Sequence, residues 1–231
     1  MARRYHVPEL PQTGALSLPD DVAQHLARVM RARVDDRVRL FDGRGQEAGA
    51  RITEIGHRSV TVVIETLESV TREPKISLEL AFCIPRAARA EWIIEHGTEL
   101  GIAVFRPIIA ARSRGGDRRE RWDRVLRAAA GQCDRSNLPE IRPSCDLGEL
   151  LDQEELPEER LCADTQGPPM AGAKTHRALL LVGPEGGFNQ SEREQILDSG
   201  FTMASLGPLT LRTETAALAG ATLLLNAAPD S

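Results

Sequence analysis

Between residues 36 and 66 apolar and polar side chains alternate in short runs broken by turn signals: "DRVRLF", the turn-like "DGRGQ", then "EAGARITEI" and, after Gly56, "SVTVVIE". A period of two bounded by glycine and aspartate predicts half-buried strands joined by hairpins, and strands this close together suggest a small β-barrel. Ahead of them the period lengthens. In "LPDDVAQHLARVMRA" the apolar positions Val22, Leu26, Val29 and Met30 fall on one helical face, which predicts a helix capped near Asp20.

After "TREPK" the texture changes, so a domain boundary is expected near residue 73, dividing the chain into 1–72 and 73–231. In the second part "ISLELAFC" reads as a strand, 86–100 as a helix, "VFRPIIA" as a strand and 117–131 as a helix. A Pro-punctuated stretch and an acidic segment follow, then the strands "RLCAD" and "LLLV", a helix from Ser191, "TMASLG" and a last helix from Thr213. Strands alternating with helices predict an α/β fold whose mostly parallel sheet is covered on both faces.

The 231 residues, 41% of them hydrophobic, allow one large domain or two small ones. No apolar stretch approaches the roughly 20 residues of a membrane-spanning helix, and Arg3, Arg4, Tyr5 and His6 do not form a signal peptide, so a cytoplasmic protein is expected. Cys83, Cys133, Cys145 and Cys162 lie far apart without paired spacing, and the five histidines are scattered, so no metal and no redox dithiol are expected. The GxSxG elbow of serine hydrolases is absent. The formal net charge of −5 argues against a surface coated for nucleic acid, but seven arginines lie from Arg112 to Arg127, while eight carboxylates from Asp146 to Asp164 face only Arg160. Local field governs docking to phosphates, so a basic face is compatible with the acidic total; a solvated helix laced with ion pairs is the alternative.

Two strands end alike, in "LLLVGPEGG" and "ASLGPLTLRTETA". In an open parallel sheet, ligands bind in the crevice beyond the carboxyl ends of the strands, and glycines there let backbone approach a ligand closely. The loop has no lysine and does not match GxxxxGK[ST], so a triphosphate is disfavoured; Glu185 suits a neutral or cationic ligand such as S-adenosylmethionine. A tight turn in which Glu185 satisfies nearby amides is the plain alternative. Ser191 and Glu194 read as a capping box for the next helix. The helix in "LRTETAALAGATLLLNAA" is apolar almost all round and is expected to be buried on every side, either inside the chain or against a second copy in a homodimer. Arg212 sits just before this helix, where a cation faces the positive end of the dipole, and a residue placed against that rule invites a functional reading.

Together "LLVGPEGGFNQSERE", "LGPLTLRTETAALAGA", "GTELGIAVFRPIIAARS" and "RAAAGQCDRSNLPEIRP" closely resemble the RsmE family of ribosomal RNA methyltransferases, members of the SPOUT class, and the barrel-like segment corresponds down to "LFDGRG". The resemblance implies a PUA-like RNA-binding β-barrel followed by an α/β domain tied in a trefoil knot, a homodimer formed through the knot domain, and S-adenosylmethionine-dependent methylation of N3 of a uridine in 16S ribosomal RNA of the small subunit. It places the cofactor among Leu161, Cys162 and Ala163, the loop Gly183, Pro184, Glu185, Gly186 and Gly187, and Leu206, Gly207, Leu211 and Arg212. The family usually has a lysine and a small residue before TELG where this chain has His96 and Gly97, a glutamate at Gly131, and an arginine at Leu209.

Uracil N3 carries an imide proton that must leave before or during transfer, and the charge spreads to the flanking carbonyl oxygens. Arg212 is the expected stabiliser of that charge and Glu185 a candidate proton acceptor or loop anchor. Because N3 lies on the pairing edge, the base must be unpaired or flipped out. Arg3, Arg4, Arg28, Arg31, Arg33, Arg112 and Arg114 are the candidate phosphate contacts. Two other readings are a ribose 2′-O methyltransferase of the same class and an RNA-binding homologue without transferase activity.

Overall fold

The alternating segments become strands that sort into two sheets. The computed structural model of the chain describes residues 4–226, so Arg3 lies outside the described residues. The chain divides into two compact units, Met1–Glu73 with Arg127–Leu138, and Pro74–Leu126 with Pro139–Ser231. Residues 127–138 thus belong to the first unit.

In the first unit β1 (Arg4–His6), β2 (Gly14–Ser17), β3 (Arg37–Phe41), β4 (Gln46–Ile55) and β5 (Val60–Ser69) form a five-stranded sheet in the order β1-β3-β4-β5-β2. The β3-β4-β5 ladders are antiparallel, and register shifts at Gly49/Ala50 and Ile52/Glu54 mark bulges, which increase local twist. Alternate positions fill the core, among them Val38, Leu40, Ala50, Ile52, Val60 and Val62. The helix expected around Val22 is only partly regular: α1 (Asp20–Gln24) follows Pro19, has no side-chain cap, and passes into a π-helical turn, His25–Val29. The wider turn, with Met30 N–H donating to His25 O, carries Val29 and Met30 off the face shared by Val22 and Leu26, and both are exposed.

Arg4 is also not where its charge suggested. It is 6% exposed and lies over the Phe41 ring, and its Nη2 donates to Glu47 Oε1 at 2.7 Å. Buried Glu47 also accepts from Arg72 at 2.6 Å, from Arg39 and from the Ser136 hydroxyl. Arg4 is therefore an internal counter-charge in the core of the first unit and not the expected phosphate contact.

In the second unit β6 (Ser77–Cys83), β7 (Val104–Ile109), β8 (Glu140–Ile141), β9 (Cys145–Asp146), β10 (Glu159–Ala163), β11 (Arg177–Val182) and β12 (Thr202–Ala204) form a seven-stranded sheet. Its order is β12-β10-β11-β6-β7-β8, with β9 also on β7, and every ladder is parallel. The central strand β11 is buried from Ala178 to Val182, which explains its unbroken apolar run. Helices α2 (Ala87–Leu100), α3 (Arg119–Gln132, with residues in both units), α4 (Leu147–Leu151), α5 (Gln190–Asp198) and α6 (Thr213–Leu225) complete the chain. Among the described residues no helix is long and apolar enough to cross a membrane.

Two local expectations are corrected. The capping box of α5 is formed by Asn189 and Glu192, two residues before the expected pair. Helix α6 is buried on one side only: Ala216, Ala217, Gly220, Ala221 and Leu224 face the core, whereas Thr215, Thr222 and Leu223 are exposed. A Cβ at Gly220 would lie 2.7 Å from Leu180, so glycine lets α6 sit close on β11.

Candidate functional site

Three adjoining strands, β12, β10 and β11, end at Ala204, Ala163 and Val182, and the loops leaving them enclose a cavity of about 320 Å³. Ala163, Gly183, Pro184, Glu185, Gly186, Gly187, Leu206, Gly207 and Leu211 line it, so the two Gly-Pro loops do converge on one crevice. Gly187 (φ +66°) and Gly207 (φ +128°) adopt left-handed backbone, and nothing lies within 4 Å of a Cβ at either, so both keep the cavity open. The Thr213 hydroxyl donates to Gly183 O at 3.0 Å and joins the β11 loop to the start of α6.

Leu161 and Cys162 do not line the cavity. Cys162 points into the core, where burial pushes its thiol pKa well up. Arg212 does not line it either; it is exposed, it is the N-cap residue of α6 without a side-chain cap bond, and among the described residues its guanidinium has no partner. Its neighbours Leu211 and Thr213 both face the cavity. Sequence reading missed Asp164, Phe188, Arg193, Thr213 and Ala216 in the wall. Asp164 immediately follows Ala163, and Thr213 and Ala216 are spaced three apart on one helical face, which was the available signal.

The charges around the cavity are paired. Arg193 binds Asp164 and donates to Gln166 at 3.2 Å. Arg89, which sequence reading did not single out, binds Glu185 and lies 3.4 Å from Glu214. The cavity therefore offers glycine backbone, apolar wall and compensated charge. That suits a ligand combining an aromatic base with a zwitterionic tail and a sulfonium, and it does not suit a polyphosphate.

Residues 71–225 match the RNA methyltransferase domain family, and residues 18–65 match the RNA methyltransferase PUA domain. The ribosomal RNA small subunit methyltransferase E of Mycobacterium tuberculosis is 31% identical over 237 residues, covering 94% of this chain and 88% of that protein. The chain belongs to the ribosomal RNA small subunit methyltransferase E family. The Bacillus subtilis member is 28% identical, covering 91% of this chain and 89% of its own. The crystal structure of the Neisseria gonorrhoeae member bound to S-adenosyl methionine superposes with a TM-score of 0.86 at 28% identity, covering 96% of this chain and 95% of that one.

Of the four positions where the family resemblance implies another residue, His96, Gly97, Gly131 and Leu209, only Leu209 borders the cavity, and it is 74% exposed. The His96 ring stands edge-on to Trp92 at 4.4 Å, and its Nδ1 is 3.0 Å from Glu99. Gly97 is packed so that a Cβ would lie 2.7 Å from the Phe105 ring. At Gly131 a Cβ would lie 2.8 Å from the Arg4 carbonyl oxygen. The two glycines thus answer to packing. Of the candidate phosphate contacts, Arg28, Arg31 and Arg33 are exposed on the first unit beside uncovered Val29 and Val34, and Arg112 and Arg114 are exposed on the second. Arg112 also donates to Gly186 O at 2.5 Å.

Proposed function

We propose that the protein methylates N3 of a specific uridine in 16S ribosomal RNA of the small subunit, using S-adenosylmethionine, in the cytoplasm and as a homodimer. The observation that carries this reading is the cavity at the ends of β10, β11 and β12, built from the two loops that identify the family and lined by backbone and compensated charge. Ala163, the Gly183–Gly187 loop and Leu206, Gly207 and Leu211 would hold the cofactor, which supplies an electrophilic methyl group when bound.

Arg212 is the residue we assign to the chemistry. It begins α6 beside two cavity residues and has an unengaged guanidinium, so it can stabilise the carbonyl oxygens of uracil as the N3 proton departs. Glu185 is held by Arg89, which assigns it to anchoring the loop. The exposed Arg28, Arg31 and Arg33 serve the RNA backbone from the first unit.

The dimer reading rests on α2 and α6, which pack together and leave Trp92 (42% exposed) and Leu223 (46%) uncovered. The trefoil reading rests on the path after β10. Met170 N–H donates to Ser205 O at 2.8 Å, Ser205 N–H donates to Pro168 O at 2.7 Å, and α6 then packs on β6 and β11, across β10 from β12.

The test is mass mapping of small-subunit ribosomal RNA from cells lacking the gene, with purified protein and labelled S-adenosylmethionine added back to isolated subunits. A missing N3-methyluridine should return with wild type, and Arg212→Ala should lower turnover by about a hundredfold or more with cofactor affinity retained. A methyl group found on a ribose, or no transfer at all, would overturn the reading.

A further inference from the structure

Next to the first cavity lies a second, much smaller crevice of about 10 Å³, walled by Pro85 and Arg86, by Arg112 and Arg114, and by Pro184, Glu185 and Thr213. Pro184, Glu185 and Thr213 are common to both, so the two recesses share a wall. We propose that the exposed arginine rim of this crevice, whose interior of about 10 Å³ admits no more than a water, holds a phosphodiester of the nucleotide to be methylated at its surface, an assignment that rests on the RNA methyltransferase reading above.

Three features carry it. The first is charge. Arg86, Arg112 and Arg114 are all exposed, and among the described residues the guanidinium groups of Arg86 and Arg114 have no hydrogen-bond or ion-pair partner. Glu185 is the one carboxylate in the wall, and Arg89 pairs with it, so the crevice keeps an excess of positive charge.

The second feature is rigidity. The Gly115 amide donates to Ile84 O at 3.0 Å, and a Cβ at Gly115 would lie 2.0 Å from Pro85 O, so only glycine lets this turn lie against the end of β6. Ser113 closes the same turn through two bonds with Ala110, N–H to O at 3.0 Å and amide to hydroxyl at 2.9 Å. The arginines are thereby presented from fixed backbone, as recognition of a planar or tetrahedral anion requires.

The third feature is position. The crevice wall includes the N-cap residue of the 14-residue α2 and the first residue of the 13-residue α6, and neither helix start is closed by a side-chain cap. Both dipoles add to the field of the arginines. A phosphate held here lies one loop away from the cofactor cavity, which anchors the backbone of a flipped nucleotide while its base reaches the methyl donor.

The experiment uses the full-length protein with Arg86→Ala/Arg114→Ala and, as a charge-retaining control, Arg86→Lys/Arg114→Lys. Affinity for small-subunit ribosomal RNA is titrated across salt, and S-adenosylmethionine affinity is measured by calorimetry. The alanine pair should weaken RNA binding about tenfold and reduce the slope of log K against log salt by about one, with cofactor affinity within about twofold of wild type, and the lysine pair should restore the slope. A wild-type slope in the alanine pair, with wild-type protein methylating RNA and all variants binding cofactor, would overturn the phosphate seat alone. Wild-type protein that binds cofactor but neither binds nor methylates RNA would overturn the underlying reading and the seat with it.

Discussion

The hydroxyl of Thr213 donates to the carbonyl oxygen of Gly183 across 3.0 Å, and this bond joins the first residue of α6 to the first residue after β11. Thr213 is 2% exposed and borders both recesses, so the bond sets the distance between the two glycine-bearing loops. Thr213→Val keeps the shape and leaves the Gly183 carbonyl unpaired, at a cost of about 1–3 kcal/mol. We expect S-adenosylmethionine affinity to fall about tenfold and the unfolding midpoint to drop, with Thr213→Ser close to wild type. Calorimetry and thermal unfolding check it, and a valine variant with wild-type affinity would refute the role.

Glu192 ties two elements that are far apart in sequence. Its carboxylate accepts from Asn189 N–H at 2.8 Å, completing the box that caps α5, and from Ala111 N–H at 2.8 Å in the loop after β7. Glu192→Ala keeps the Asn189 cap on the residue 192 amide but removes the reciprocal half of the box, leaving the Asn189 and Ala111 amides without their acceptor, which together should cost about 2 kcal/mol. Denaturant unfolding should show a lower midpoint with an unchanged slope; a midpoint equal to wild type would mean the two bonds contribute nothing net.

These ties explain which parts of the site were legible in the chain. The glycine loops after β11 and β12 announce themselves, because apolar strands ending in Gly-Pro are local patterns, and the same periodicity locates β3 to β7 and β10 to α6. Pairings between distant residues leave no local mark. Arg89 with Glu185, Arg193 with Asp164 and Arg4 with Glu47 are each set by the fold, so Arg4 read as a surface cation. Strands β8 and β9, two residues each, are too short to show a period, and the π-helical turn at His25–Val29 breaks the period that placed Val29 and Met30 inside.

Leu209 borders the cavity at the ends of β10, β11 and β12, is 74% exposed, and is where the family resemblance implies an arginine. With so little packing to lose, Leu209→Arg should leave stability within about 0.5 kcal/mol of wild type. An added guanidinium at the cavity mouth should tighten RNA binding about two- to fivefold and steepen its salt dependence. Binding titrations at two salt concentrations test this; unchanged affinity and slope would place residue 209 away from the RNA path.

Glu47 sets the acid limit of the first unit. Burial by itself would raise its carboxyl pKa, but hydrogen bonds from Ser136 and Arg72 and the charge on Arg4 outweigh burial and hold it below the ordinary value of 4.5. As pH falls the unfolded chain therefore takes the proton first. The stabilisation is complete above 4.5 and is lost as pH drops through the lower folded value. His6 acts in the same direction at higher pH, because burial, and then the charge on Arg127, lowers its pKa from 6.5. Below that point the unfolded chain binds a proton that the folded chain refuses, and stability declines. Denaturant titrations should thus show two losses, one beginning below 6.5 and one below 4.5. Glu47→Gln should erase the second loss and, by leaving buried Arg4 with only the more distant Asp134 at 3.5 Å as counter-charge, lower stability at neutral pH by about 2–3 kcal/mol. A Glu47→Gln profile parallel to wild type down to acid pH would show that the carboxylate cluster is not what limits this unit.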